Sequence, residues 1–422
     1  MMPGRLAVVG GGWAGLAAAV RATQAGYAVT VFETARVWGG RARSDPGAGD
    51  ALDNGQHILI GAYRQTLALL TTVGVDPARV FHRMPLTLRF SDGRGLRLGA
   101  GSTLLALARA VFGAQGWTWT DRASLLAGAA RWAREGFRCP ADWTVDQLCT
   151  GITPAVRRDL IDPLCVAALN TPAGSASAQV FLTVLHDALL GERGSSDMLL
   201  PRVPLDQVMP APAYAWLANH GADLRSGHRV KRLERSPDGW SVDGESFNKV
   251  VLSCSLAEAC RLVEAIEPIW AAGGRDLEYE PIITVYLRAA KARLAAPILA
   301  LTEGPDDPAQ FAVDHGAIGG APGRLAFVIS GAARWVGLGN ERTSHFVVRQ
   351  AHRLDASLSQ QALEIEAIRA ERRATFRCVP GLSRPQPWVA PGLVAAGDYI
   401  EGPYPATLEG AVRSGEEALA LL

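Results

Sequence analysis

Short apolar runs broken by glycine open the chain. Residues 5–9 (RLAVV) read as a buried strand stopped by glycine. Residues 13–25 place Leu16, Ala19, Val20 and Thr23 on one helical face, and Gly26 stands where a helix ends on glycine. Residues 27–33 (YAVTVFE) read as a second strand closing on an acid. Together these segments make one βαβ unit of an α/β fold.

The pattern then changes. Residues 34–57 are loop-rich, with Gly39, Gly40, Pro46, Gly47 and Gly49, and residues 58–75 carry helical spacing. Residues 86–98 alternate about Asp92-Gly93, a hairpin signal. From about 101 to 200 the chain is apolar and helix-rich, which predicts an inserted substrate domain. Residues 230–233, 240–242 and 249–253 predict a small meander turning at Pro237-Asp238-Gly239. Residues 281–287 and 325–330 predict strands of a second sheet, 341–370 a long helix of mixed charge, 393–396 a short buried strand and 406–421 a terminal helix. The expected division is one domain built on the βαβ unit from 1–85, 215–262 and 388–422, and a second from 86–214 and 263–387, helix-rich in 100–200.

Size agrees with two domains, since 422 residues are long for one core. A hydrophobic share of 48% and a charged share of 20% argue against disorder. A net charge of +1 leaves no basic excess for nucleic acid. The six cysteines, Cys139, Cys149, Cys165, Cys254, Cys260 and Cys378, form no C-x-x-C pair. They read as reduced thiols of a cytosolic protein, with no metal site expected. The apolar run 6–20 imitates a signal peptide, but its glycines fit a nucleotide turn better. No apolar stretch is long enough for a membrane span, which leaves peripheral contact with a bilayer open.

Gly10-Gly11-Gly12-Trp13-Ala14-Gly15 fits G-x-G-x-x-G at Gly10, Gly12 and Gly15. In that pattern the first glycine allows the tight turn, the second the approach of a pyrophosphate, and the third close helix packing. Glu33 follows Gly10 by 23 residues (33 − 10), near the offset of about 20 at which an acid takes a ribose hydroxyl. An acid there repels a 2′-phosphate, so NADP is disfavoured. NAD and FAD share the pattern. Gly39-Gly40-Arg41-Ala42-Arg43-Ser44 offers either a second approach to phosphate beside a guanidinium or an exposed basic loop.

Gly10 to Gly15, Glu33 and Gly39 to Ser44 together resemble the FAD-binding amine oxidase and phytoene desaturase superfamily. Ala396-Gly397-Asp398 and Thr407-Leu408-Glu409-Gly410-Ala411 resemble its second flavin motif. The resemblance implies a Rossmann-like FAD-binding domain of the glutathione-reductase flavoprotein type, with an inserted α+β substrate domain. It implies FAD held by Gly10, Gly12, Trp13, Ala14, Gly15, Glu33, Gly40, Arg41, Gly55, Gln56, His57, Val230, Gly397, Asp398, Thr407 and Leu408. Within that set, Asp398 would bind the ribityl–phosphate region and Val230 would offer its backbone to adenine. The helix after Thr407 would face the isoalloxazine. Residues 53–63 (DNGQHILIGAY), 163–172 (PLCVAALNTP), 176–181 (ASAQVF), 199–203 (LLPRV) and 404–412 (YPATLEGAV) resemble the hydroxysqualene dehydroxylase family.

That finer resemblance implies reductive removal of the hydroxyl of hydroxysqualene, giving squalene for hopanoid synthesis. The chemistry needs an acid at the leaving oxygen, a dry apolar tunnel, and hydride from reduced flavin N5. His57, Tyr404 and Glu401 are candidate acids, with Tyr63 beside them. His57 suits a structural hydrogen bond to the cofactor or to backbone more than catalysis, and Asp53 suits a cap on a helix starting near 58. The partners implied are a hydrophobic thirty-carbon isoprenoid and an external electron donor, since no second nucleotide turn occurs and Gly316 to Gly323 reads as a hairpin turn. Segments 100–135 and 160–190 are apolar enough for such a substrate. Trp117, Trp119 and Trp132 suit either a tunnel mouth facing a membrane or ordinary helix packing. Rival functions are an FAD-dependent isoprenoid or carotenoid desaturase or isomerase, and a non-catalytic flavin-binding protein. The only lysines are Lys231, Lys249 and Lys291, none in strand 281–287, which argues against amine oxidation.

Overall fold

The structure, a computed structural model, describes residues 4–45, 51–99, 103–354 and 356–422. Pro46, Gly47 and Gly49 of the expected loop lie outside these. Strand Arg5–Val9, helix Trp13–Gln24 and strand Ala28–Glu33 form the βαβ unit. Gly26 follows the helix at φ +84°, a left-handed conformation that glycine takes without strain. Six strands make the first sheet, in the order 223–226, 28–33, 5–9, 249–252, 393–395, 388–390. All run parallel except the last.

One strand corrects the expected meander. Residues 233–247 do form a three-stranded antiparallel sheet, Leu233–Ser236, Gly239–Val242 and Glu245–Phe247. Lys249–Leu252 leaves it and pairs with Arg5–Val9 at the centre of the parallel sheet. Val250, Val251 and Leu252 are fully buried there, as a strand covered on both faces requires.

The second sheet is antiparallel, in the order 298–300, 311–314, 324–329, 279–288, 364–376. Its last strand corrects the expected long helix. Helix Asn340–Leu354 ends early, and Glu364–Phe376 runs as a strand against Tyr279–Arg288. Pairing along that length overrides the helical propensity of its Glu, Ala and Arg residues. A third correction concerns 58–75. Leu59–Ile60 pairs with Met198 and Leu199, and the helix begins only at Arg64. The expected hairpin forms from Thr87–Arg89 and Gly95–Arg97.

Helices fill much of 103–219. Helix Pro210–Asn219 packs on Trp13–Gln24, so the expected boundary at 214/215 falls inside one helix of the nucleotide side. Helix Asp162–Leu169 ends on Asn170 at φ +48°. The Asn170 side chain donates to Glu280 O (3.3 Å) and Thr375 Oγ1 (2.9 Å) and accepts from Gly331 N (2.8 Å). It thereby ties the helical layer to the second sheet.

Candidate functional site

The turn after the first strand brings four glycines together for different reasons. A Cβ on Gly10 would lie 2.6 Å from the backbone of Ser253 and Cys254; one on Gly11 would overlap Trp38; one on Gly15 would overlap Gly10 O. Packing demands glycine at all three. At Gly12 the backbone is ordinary, with φ −76° and ψ −177°. A Cβ there would meet only Gly40 Cα, at 3.8 Å. The protein itself does not require glycine at 12, so the space fits a group lying on the turn. Gly39 N donates to Gly11 O (2.9 Å), which sets Gly40 opposite Gly12. Two bare backbones thus face one gap, at the start of a helix with no acid in its first turn. That is a cradle for an anion.

Glu33 closes one side of the cradle. Its carboxylate accepts from Gly11 N and Ala35 N, both at 2.7 Å. The loop before Leu233 passes alongside, with His228 N donating to Glu33 O (2.8 Å). Val230 follows in that loop, buried, and its carbonyl accepts from Arg261 Nη2 (2.7 Å). Trp13 donates from Nε1 to Ala42 O (2.9 Å), and Ala14 lies buried in the first helical turn.

The chain's end closes the other side. Arg41 pairs with Asp398 and also donates to Arg373 O (3.1 Å) and Ala374 O (2.8 Å) of the second sheet's edge strand. Ser414 Oγ accepts from Gly397 N (2.7 Å) and donates to Gly397 O (3.0 Å). Thr407 caps helix Leu408–Glu417 by accepting from Gly410 N (3.0 Å). A cradle of amides, a ribose-type acid, an arginine and a second helix start fit FAD, and residues 13–420 match the flavin-containing amine oxidoreductase family. The chain belongs to this family.

Relatives within the family carry a narrower name. A hydroxysqualene dehydroxylase of Rhodopseudomonas palustris is 30% identical, over 98% of this chain and 97% of its own. Another, of Sinorhizobium fredii, is 26% identical over 100% and 98%. An oxidoreductase from Methanosarcina mazei shares the fold, with TM-score 0.73 and 14% identity over 99% of this chain and 100% of its own. This chain is therefore an FAD-dependent oxidoreductase of the flavin amine oxidoreductase fold.

In this member of the family, loop 53–57 lies on the second sheet. Gln56 N donates to Thr284 Oγ1 (3.2 Å), and Tyr286 donates to Asp53 O (3.2 Å). Gln56 Oε1 accepts from His315 Nε2 (2.9 Å), while Gln56 Nε2 donates to His57 O (3.3 Å). Asn54 Nδ2 donates to Arg41 O (3.1 Å), which joins the loop to the cradle. His57 Nδ1 lies 2.9 Å from Gly55 O. A carbonyl only accepts, so Nδ1 carries the proton and Nε2 keeps a lone pair. Burial, with Arg41 nearby, holds the imidazole below its usual pKa. That direction favours the neutral ring, whose Nε2 can accept a hydrogen bond.

The other candidates have partners of their own. Tyr404 donates to Asp187, and burial together with Asp187 pushes its phenol up to about 12. Glu401 is exposed and accepts from Gln386. Tyr63 meets Thr407, and burial raises its phenol. Glu409 of the second motif points away: it accepts from Gln65 N (3.1 Å), Thr66 N (3.0 Å) and Thr66 Oγ1 (2.7 Å), capping helix Arg64–Thr72. Asp53 does not cap that helix. It accepts from Leu205 N (2.9 Å) and Ser44 Oγ (2.6 Å). Trp117 and Trp132 are core residues, each 4% exposed, which corrects the tunnel-mouth reading for both. Sequence patterns left out Arg384, which holds the carbonyls of Gly402 and Tyr404, and also Thr284, His315 and Ser414. Each acts across a long sequence separation, and none sits in a motif.

Proposed function

We propose that this protein removes the hydroxyl group of hydroxysqualene reductively, giving squalene and water. The observation that carries the reading is a full-length likeness to two hydroxysqualene dehydroxylases. In this chain, loop 53–57 rests on the second sheet and meets Arg41. In the balanced reaction the substrate gains one hydride, and its hydroxide leaves as water with one proton drawn from solvent. When bound, reduced FAD supplies the hydride.

The chain's own groups bind and orient. Amides of Gly12 to Ala14 and the Arg41 guanidinium hold the pyrophosphate, and Glu33 accepts ribose hydroxyls. Asp398 and the helix after Thr407 hold the ribityl and ring portion. His57 Nε2 accepts a hydrogen bond from the substrate hydroxyl and so fixes the carbon–oxygen bond to be broken. A separate reductant recharges the flavin. The protein works at a membrane, where a thirty-carbon isoprenoid resides.

The test is anaerobic incubation of the reduced holoenzyme with hydroxysqualene, read by mass spectrometry. Squalene supports the reading, and unchanged substrate overturns it. A product with added double bonds would instead assign a desaturase.

A further inference from the structure

Helix Trp119–Arg134 turns an apolar stripe to solvent. Trp119, Ala123, Leu126, Ala130 and Ala133 recur at spacings of three and four, so they share one face, and all five are exposed. Trp119 is 72% exposed, Leu126 36%, and Phe112, which ends the preceding helix Thr103–Phe112, 53%. The Phe112 and Trp119 rings lie 6.2 Å apart. Arg122 holds this pair in place. Its guanidinium sits 5.2 Å from the Trp119 ring and donates to Val111 O (3.2 Å) and Ala114 O (3.0 Å). The aromatic pair is therefore a built feature with a fixed cationic neighbour.

The charge around the stripe has one dominant sign. The helix carries Arg122, Arg131 and Arg134. Its sole acid, Asp121, is buried and spent on capping Thr118. Arg109, Arg134 and Arg138 are exposed around the two helices, beside the exposed acid Glu135. A helix on a water-facing surface normally turns charge outward. This one turns tryptophan, leucine and alanine outward between arginines, the chemistry of a helix lying in a lipid interface. Its 16 residues are too few to span a bilayer, and no described helix is long and apolar enough to cross one.

We propose that this face seats the enzyme on an anionic lipid surface. Phe112, Trp119 and Leu126 enter the boundary of the acyl chains, and the flanking arginines meet headgroup phosphates. The purpose of such seating rests on the isoprenoid-substrate reading, because that substrate would be drawn from the bilayer; the binding itself does not.

Vesicle flotation of the FAD-loaded full chain, without substrate, tests the surface. The protein is expected to float with vesicles of phosphatidylcholine and phosphatidylglycerol, and less with phosphatidylcholine alone. The double variant Trp119→Ser, Leu126→Ser should lower binding about tenfold or more, and Ala130→Glu should do likewise. Tyr214→Ser, which removes an exposed aromatic elsewhere, should not. Squalene formation from detergent-dispersed hydroxysqualene, measured on the same proteins, tests the reaction separately. Stripe variants that float as well as the unaltered chain, or an unaltered chain that fails to float, overturn the proposal. So would a dimer in solution that the stripe variants dissociate, because a second copy would then cover the face.

Discussion

Gly415 of the last helix lies against Ala14 of the first, so close that a Cβ on Gly415 would overlap the Ala14 carbonyl oxygen. Two segments about 400 residues apart thus meet backbone to backbone beside the glycine turn. Substituting Gly415→Ala should force the helices apart and cost roughly 1–3 kcal/mol of stability. A lowered midpoint in thermal unfolding of the holoenzyme, with partial loss of flavin, is the expected result.

The glycines of the turn should separate folding from binding. Gly12→Ala places its methyl in free space with an ordinary backbone. It should leave the unfolding midpoint of the apoprotein unchanged while flavin content falls to a small fraction. Gly15→Ala collides with Gly10 O and should lower both. Equal loss of stability in the two variants would contradict the assignment of Gly12 to the ligand.

Arg41 joins the cradle, the second sheet and Asp398. Replacing it by alanine should weaken FAD binding about tenfold or more, the range for a charge-assisted contact to phosphate. Flavin fluorescence titration of the apoprotein measures this. Lysine should recover only part of the loss, since it cannot donate as a planar fork.

Much of the parallel sheet could be read from the chain. A continuous apolar run bounded by glycine suits a strand buried on both faces and little else, and the helix Trp13–Gln24 carries its own stop at Gly26. What could not be read depends on distant partners. Lys249–Leu252 follows a meander in sequence, but its neighbour is Arg5–Val9. Glu364–Phe376 has helix-forming composition and becomes a strand only because Tyr279–Arg288 lies beside it. The placement of Gly10 to Gly15 in a strand-to-helix turn, and of Glu33 at the end of the next strand, was legible because the motif is local. Asp53 was not, because its hydrogen-bond donors, Leu205 and Ser44, belong to other segments. Glu409 sits inside a flavin motif but caps helix Arg64–Thr72, a role fixed only by tertiary contact.

Two half-buried groups at loop 53–57 should give opposite slopes of stability with pH. Burial pushes the Asp53 carboxyl up to about 6. Its folded form favours the proton, so the stability it adds is present below about 4 and is lost as pH rises through 6. Burial pushes His315 down to about 4. Its folded form favours the neutral ring, so the stability it adds is present above about 6.5 and is lost as pH falls through 4. The two nearly cancel in the unaltered chain. Asp53→Asn should make stability rise with pH across this window, and His315→Gln should make it fall, each by up to about 3 kcal/mol. Urea unfolding at several pH values measures both slopes.

Hydride on flavin N5 exchanges with solvent, so heavy water can report whether carbon receives it. A single anaerobic turnover of the reduced holoenzyme with hydroxysqualene, run in D2O, should yield squalene carrying one deuterium, in step with oxidation of one flavin per chain. Squalene without deuterium, or flavin that stays reduced while substrate persists, would contradict the account.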